Sequence, residues 1–524
     1  MSKRRLYIWA GLLLLAASLL RICHIAAIPL GMHIDEAGLG LNAWSIAGFG
    51  TDRYGNFLPV CPSNFYGEQS AFYTYFCALL VKLFGLSIVT LRMPAALMGI
   101  ITVLFGALLM REKWGDKGLL AGLALLGIFP YFIMNSRFAL DCNSMLGALT
   151  VSLYVLVRLL KKAHRCPGQR LYGYFALAGI LLGVTLYTYI IAALVVSVFC
   201  VLWGLYYLFY RREGRFLRFR QLLFLAVPLW LLAIPLILVF AVNYFDLDPI
   251  ATPFFSVPKM ITNRTEEVTF SLSAMLGKLR NLTYPFTSDG KYGSSDRYWT
   301  MYLFSPPLIA AGLIHSVLRS VKDLREKCLS PDLILLFLTL AEGFMFLLCG
   351  YYNYHINGVF IALAFFCVNG IFAVGGLLRK HPARLAWAAV LTVCYGASFA
   401  GFAGEYFFPK DTAVFQIYGG VDQALSLLTP EQRSREIYVL DEVGEFYFLS
   451  NPVPPDEFAS HCSESGFLQD YQNLHFRAPE KYTGEEILVC NKGSGWHGIF
   501  SDKDLTGYSY SVLETAHYYV FYRK

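Results

Sequence analysis

Residues 33–59 read HIDEAGLGLNAWSIAGFGTDRYGNFLP and follow directly on the first hydrophobic span. Ala37, Leu41, Trp44 and Ala47 recur at steps of three and four residues, the spacing of one helix face, and the stretch 48–59, rich in Gly and closed by Pro, reads as a loop. A chain that has just crossed a bilayer and then forms a short amphipathic helix lays that helix along the membrane surface. Asp35 and Glu36 stand at its head. Acids suit a helix N-terminus, so a solvated helix start accounts for both. At the bilayer rim the same pair can do chemistry, one carboxylate accepting the proton of an attacking hydroxyl and the other orienting that base or holding a metal.

The membrane setting follows from composition. With 56% hydrophobic and 15% charged residues and a mean hydropathy of +0.50, the chain is a polytopic membrane protein rather than a soluble one. About eleven stretches approach the roughly 20 apolar residues that cross ~30 Å of hydrocarbon: 6–28, 93–110, 118–134, 144–160, 171–187, 189–209, 221–243, 301–318, 332–350, 358–377 and 385–407. Ser2-Lys3-Arg4-Arg5 leads straight into the first of them without a small-residue cleavage site, as expected of a retained span.

Lys and Arg concentrate in alternate connections: Lys3/Arg4/Arg5, Arg111/Lys113/Lys117, Lys161/Lys162/Arg165/Arg170, Arg211/Arg212/Arg215/Arg218/Arg220, Arg319/Lys322/Arg325/Lys327 and Arg379/Lys380/Arg384. These are the expected cytoplasmic loops. The N-terminus is then cytoplasmic, and 29–92, 135–143, 244–300, 351–357 and everything beyond 408 face outward across the cell membrane. The count closes only if 71–86, which contains Lys82, lies in the outer interface without crossing. The net charge of +7 resides largely in the cytoplasmic loops and calls for no nucleic-acid partner.

The expected organisation is an all-α transmembrane domain over 1–407 and a small soluble domain over 408–524, extracytoplasmic and of α/β or α+β type. The tail combines an amphipathic helix near 413–428 with the strand-like REIYVL (435–440), EILVC (486–490), YSYSVLE (508–514) and HYYVFYR (517–523). It carries no phosphate loop or nucleophile elbow. Cys462 and Cys490 can pair there if the compartment is oxidising. The sequons at Asn263 and Asn281 fall outside and decide nothing.

Two further outer segments bear candidate chemistry. In NSRFALDCN (135–143), Arg137 and Asp141 are four residues apart and share one face of a helical turn. The guanidinium there can grip a phosphate by two parallel hydrogen bonds, or the two side chains can simply pair with each other. In YYNYHING (351–358) the tyrosines, Tyr354 included, suit an aromatic belt, whereas His355 and Asn357 supply donors at the depth of a lipid phosphate. Arg92 meets an anionic head group or snorkels. Glu342 lies mid-span, with a local polar contact inside the bundle as its expected role.

DEA in the first outer helix, FGLSIVTLRMPAALMG (84–99) after it and SRFALD (136–141) in the second outer loop resemble the GT-C glycosyltransferases, bacterial type, the branch holding protein O-mannosyltransferases and lipid A aminoarabinose transferases. The likeness is motif-based over roughly 1–200 and rests on span number and YHING beyond. It implies a GT-C-like fold with interfacial helices in the first outer loop. It also implies a polyprenyl-phosphate sugar donor, Asp35 as the acceptor-activating acid, Asp141 helping to build the pocket, and Arg137 as the basic residue of the second-loop motif. Where relatives carry a basic residue followed by proline, this chain reads YGEQS (66–70), so Glu68 and Gln69 occupy the donor-facing position and the cation must come from Arg92, Arg137 or His355. The acceptor is a glycan, lipid or protein hydroxyl. No cofactor is certain; Asp35, Glu36 and Asp141 can serve as proton acceptors or as ligands of a divalent metal. The rival readings are a lipid-linked glycan flippase or transporter and a non-catalytic envelope assembly or sensor protein. Transporters bind near the midplane with repeated halves, whereas here the polar residues gather at one face.

Overall fold

The computed structural model describes residues 2–65, 67–166, 170–210, 219–260, 271–281, 283, 295–325, 330–349, 353–409, 417–440, 443–463, 466–496, 498 and 508–523. Tyr66, the Arg211–Arg218 part of one basic loop, Lys327, the Asn263 sequon, Leu282, Tyr351, Tyr352 and the start of the 413–428 helix lie outside the described residues.

Each of the eleven apolar stretches falls on helix. Among the described residues seven helices are long and apolar enough to cross a membrane: Lys3–Ile22, Ile88–Ile128, Asp141–Ala163, Phe219–Tyr244, Pro331–Cys349, Val359–Leu377 and His381–Phe407. The chain is a multi-pass membrane protein. Ile88–Ile128 holds two of the expected stretches, broken at Gly115, whose φ of 60° and ψ of −146° leave the helical region. Ala71–Phe84, at 14 residues, rises only about 21 Å and cannot span ~30 Å of hydrocarbon.

One compact unit comprises Met1–Cys23, Arg92–Ile237 and Arg264–Tyr406. Its tightest crossing joins Ser305–Arg325 to Val359–Leu377, where glycines let backbones touch: a Cβ on Gly312 would lie 1.7 Å from the Phe366 carbonyl oxygen, and one on Gly370 1.9 Å from that of Leu308. At the basic turn after the Arg92 half of Ile88–Ile128, Lys113 pairs with buried Asp332, which also accepts from Asn369 at 3.2 Å, and Trp114 Nε1 donates to Asn369 at 2.7 Å. A buried charge is tolerated here because each partner is hydrogen-bonded.

The second compact unit comprises His24–Leu91, Leu238–Asn263 and Phe407–Lys524. Its sheet has the order Asp470–Tyr471, Leu474–His475, Ile437–Val439, Ile487–Asn491, Tyr518–Tyr522, Ser511–Glu514. Ile437–Val439 runs parallel to both neighbours, with Ile437 opposite Leu474 and Ile487, and the remaining pairs are antiparallel. The strand-like runs of the tail therefore form one mixed α/β sheet. No disulfide joins Cys462 to Cys490 in this structure, so the pairing that an oxidising compartment would allow is not formed. Cys490 lies among buried Leu488 and Phe521, whereas Cys462 follows the Pro455–Ser460 helix and donates to the Phe458 carbonyl at 3.4 Å.

Candidate functional site

The two acids at the head of Ile34–Phe49 have different surroundings. His33 is the N-cap: its Nδ1 accepts from the Asp35 N–H at 3.1 Å, and the Glu36 carboxylate accepts from the His33 N–H at 3.0 Å, a reciprocal cap. Glu36 is fully buried in this role, while the Asp35 side chain is 45% exposed, with a carboxylate oxygen 3.4 Å from His33 Nδ1. Of the pair, Asp35 keeps its carboxylate partly exposed, and Glu36 caps the helix that carries it. Glu68 is half-buried on the short strand Gly67–Glu68. Gln69 is buried, and its Oε1 accepts from Asn42 and Thr74, both at 3.2 Å, which ties the turn before Ala71–Phe84 to the Ile34–Phe49 helix.

In the other unit, Arg137 and Asp141 do not share one helical turn. Arg137 ends a 3-10 turn, Phe138 and Leu140 are extended, and Asp141 begins a second 3-10 turn, so the four-residue spacing no longer fixes a common face. Arg137, fully buried, donates from Nη1 to Leu20 O at 2.7 Å and from Nη2 to Cys23 O at 2.8 Å, at the negative C-terminal end of Lys3–Ile22. Arg92 is equally buried, with its guanidinium 5.8 Å from the Phe138 ring centre and close enough to Arg137 for the two charges to repel. Asp141 is half-buried, and its carboxylate accepts from the Cys142 N–H at 2.7 Å.

The 135–143 segment and YHING, expected separately, meet. Fully buried Asn357 accepts from the Tyr131 hydroxyl and from Asn135 Nδ2 at 3.5 Å, and it donates to Cys142 O at 3.0 Å. Asn135 Nδ2 also donates to Asn143 at 2.7 Å, and Asn143 in turn donates to Phe138 O at 3.0 Å. Tyr131 stacks on Phe360 at 3.6 Å. His355 is buried beside Tyr354, ring edge to face at 4.5 Å. Glu342 is buried against Gly358, where a Cβ would fall 2.0 Å from its Oε1, so the mid-span acid packs beneath YHING.

Among the described residues no group of three or more His, Cys, Asp and Glu side chains stands where it could hold a metal ion. Sequence reasoning missed several groups. Arg21, inside the first hydrophobic span, is fully buried and donates to Leu126 O at 2.9 Å and Phe132 O at 3.1 Å; an arginine in an apolar run was its available signal. It also missed Arg53, read only as loop, and Glu445 of the tail, a buried pair 3.9 Å apart.

No protein-family model and no curated protein matches the sequence. Solved structures do. The chain is similar to ArnT from Cupriavidus metallidurans bound to undecaprenyl phosphate, with a TM-score of 0.55 and 13% identity, covering 98% of this chain and 97% of that one. The apo state of the same protein gives a TM-score of 0.53, 13% identity and the same coverage. An oligosaccharyltransferase from Archaeoglobus fulgidus, in complex with Zn and sulfate, gives 0.45 at 16% identity over 84% of this chain and 61% of that one. From its first span to the end of its tail, this chain has the GT-C fold seen in ArnT.

Proposed function

We propose that this protein is a membrane glycosyltransferase that moves a sugar from a polyprenyl-phosphate donor to an acceptor hydroxyl on the outer face of the membrane, with inversion. Asp35 takes the hydroxyl proton as the oxygen bonds to the anomeric carbon, and the bond from that carbon to the phosphate oxygen breaks, releasing polyprenyl phosphate. Asp141 has the part that the family resemblance implies, helping to build the outer pocket. Arg92 and Arg137, two buried cations, neutralise the departing phosphate. Asn357 acts by holding the 135–143 segment in place, and Tyr354 and His355 stand in the turn that leads into Asn357. The donor lipid stays in the bilayer, the N-terminus is cytoplasmic and the tail extracytoplasmic.

The observation that carries the reading is the whole-chain likeness to ArnT, spans and tail together, in a structure that holds undecaprenyl phosphate. The exposure of Asp35 beside a wholly capped Glu36 supports its role as base. The purified protein, incubated with a panel of polyprenyl-phosphate sugars, should release free lipid phosphate from one of them by mass spectrometry, and Asp35→Asn should abolish the release while leaving the fold intact. Release from none of the panel, or undiminished release by Asp35→Asn, refutes the reading. The same assay with and without a chelator reads metal dependence.

A further inference from the structure

The loop at 50–59 projects one side chain into the tail. Asp52 organises it: its carboxylate accepts from the Tyr54 N–H at 3.0 Å, the Asn56 N–H at 2.9 Å and the Ser63 N–H at 3.2 Å. This folds the chain sharply and presents Arg53, which is 2% exposed. Three rings enclose its guanidinium, with centroids at 4.9 Å for Tyr54, 4.8 Å for Phe65 and 5.6 Å for Phe458, while the Glu445 carboxylate lies at 3.9 Å. Two of these groups, Phe458 and Glu445, come from the tail. The Tyr54 hydroxyl accepts from Arg53 Nη2 at 2.9 Å and donates to Gly466 O at 2.7 Å, and Phe65 stacks on Phe467 at 4.8 Å. A desolvated guanidinium boxed by aromatic rings is a strong anchor.

The anchor bears directly on the helix carrying Asp35. A Cβ on Gly38, one turn beyond Asp35, would lie 2.5 Å from Arg53 Nη1, and one on Gly40 would lie 2.6 Å from Leu449 of the tail helix Gly444–Ser450. Two glycines thus seat the Ile34–Phe49 helix on Arg53 and on the tail.

We propose that Arg53 and its aromatic box are positioning residues for the transfer reaction: the tail, gripping Arg53 through Phe458 and Glu445, fixes the helix that presents Asp35 to the acceptor. The inference rests on the assignment of Asp35 as base. It gives the tail a part in catalysis.

The test uses the full chain and two readouts, steady-state kinetics with the polyprenyl-phosphate sugar that the wild type consumes and amide exchange of residues 34–49. Arg53→Ala should lower kcat by about tenfold or more, shift the donor KM by less than about twofold, and speed exchange in 34–49 about tenfold, the pattern of a misplaced group rather than lost ground-state binding. Arg53→Lys, which retains the cation, should recover most of both effects. Phe458→Ala, changed from the tail side, should reproduce Arg53→Ala, and the double variant should be no worse than about threefold below the poorer single one, because both remove the same contact. Phe458→Leu keeps the apolar wall without the ring face and carries the test if Arg53→Ala does not fold. Faster exchange in 34–49 with unchanged kcat, or a fall in kcat without faster exchange, overturns the proposal. Asp35→Asn is run alongside: full turnover there removes Asp35 from the chemistry, whereas loss of turnover there with normal Arg53→Ala kinetics overturns the positioning role alone.

Discussion

Asn357→Leu tests whether one buried amide joins the YHING turn to the 135–143 segment. The substitution keeps the number and branching of side-chain heavy atoms and removes three hydrogen bonds: acceptance from the Tyr131 hydroxyl, acceptance from Asn135 at 3.5 Å and donation to Cys142 O at 3.0 Å. Cys142 O keeps the Met145 N–H, so its loss is small. Asn135 keeps Asn143 at 2.7 Å. The Tyr131 hydroxyl loses its buried acceptor. With about 1 kcal/mol for each weakened bond and more for the hydroxyl, the segment loses about 3 kcal/mol of local stability. Amides of 135–143 that exchange through local opening should then exchange about 100-fold faster. Tyr131→Phe retains the stack on Phe360 and deletes one donor, so its effect should be about fivefold, near 1 kcal/mol. Exchange by Asn357→Leu within about threefold of wild type would mean that the amide does not hold the segment, and the reasoning fails.

Burial pushes the Glu445 carboxyl up to about 7, against the pull of Arg53, from an ordinary 4.5. Tyr54 and Cys462 also face it. A raised acid contributes stability that is complete below its unfolded value and lost as pH climbs through the folded one, so the tail should lose about 3 kcal/mol between pH 4.5 and 7. Denaturant unfolding of wild type against Glu445→Gln reads it; equal pH slopes contradict it. Gly312→Ala drives a methyl to 1.7 Å from Phe366 O and should destabilise by about 3 kcal/mol, seen as a lower melting temperature in detergent, whereas Gly11→Ala, with nothing within 4 Å, should be silent. Glu36→Ala should cost about 1 kcal/mol through the lost helix cap, whereas Asp35→Asn should leave the unfolding midpoint unchanged and abolish turnover. Equal effects of the two on turnover and stability would show that the acids are not divided in role.

The membrane class, the helices under the apolar stretches, the Ile34–Phe49 helix, the short Ala71–Phe84 helix and four of the six strands of the tail sheet are legible in the sequence, because hydrophobic length, periodicity and caps act over a few residues; Asp470–Tyr471 and Leu474–His475, two residues each, are too short to leave such a pattern. Tertiary structure decided what the side chains do. Asp35 and Glu36 are equal acids on paper, and only the fold exposes one and buries the other in its own helix cap. The spacing of Arg137 and Asp141 assumed a helical turn that extended Phe138 and Leu140 interrupt, and Arg137 turned to carbonyls of a helix more than 100 residues away. Arg53 looked like loop because its partners, Phe458 and Glu445, lie about 400 positions along the chain. Local free energies are written in neighbouring residues; the pairing of buried charges and amides is set by whichever distant groups the packed core brings within 4 Å, and no local pattern records that.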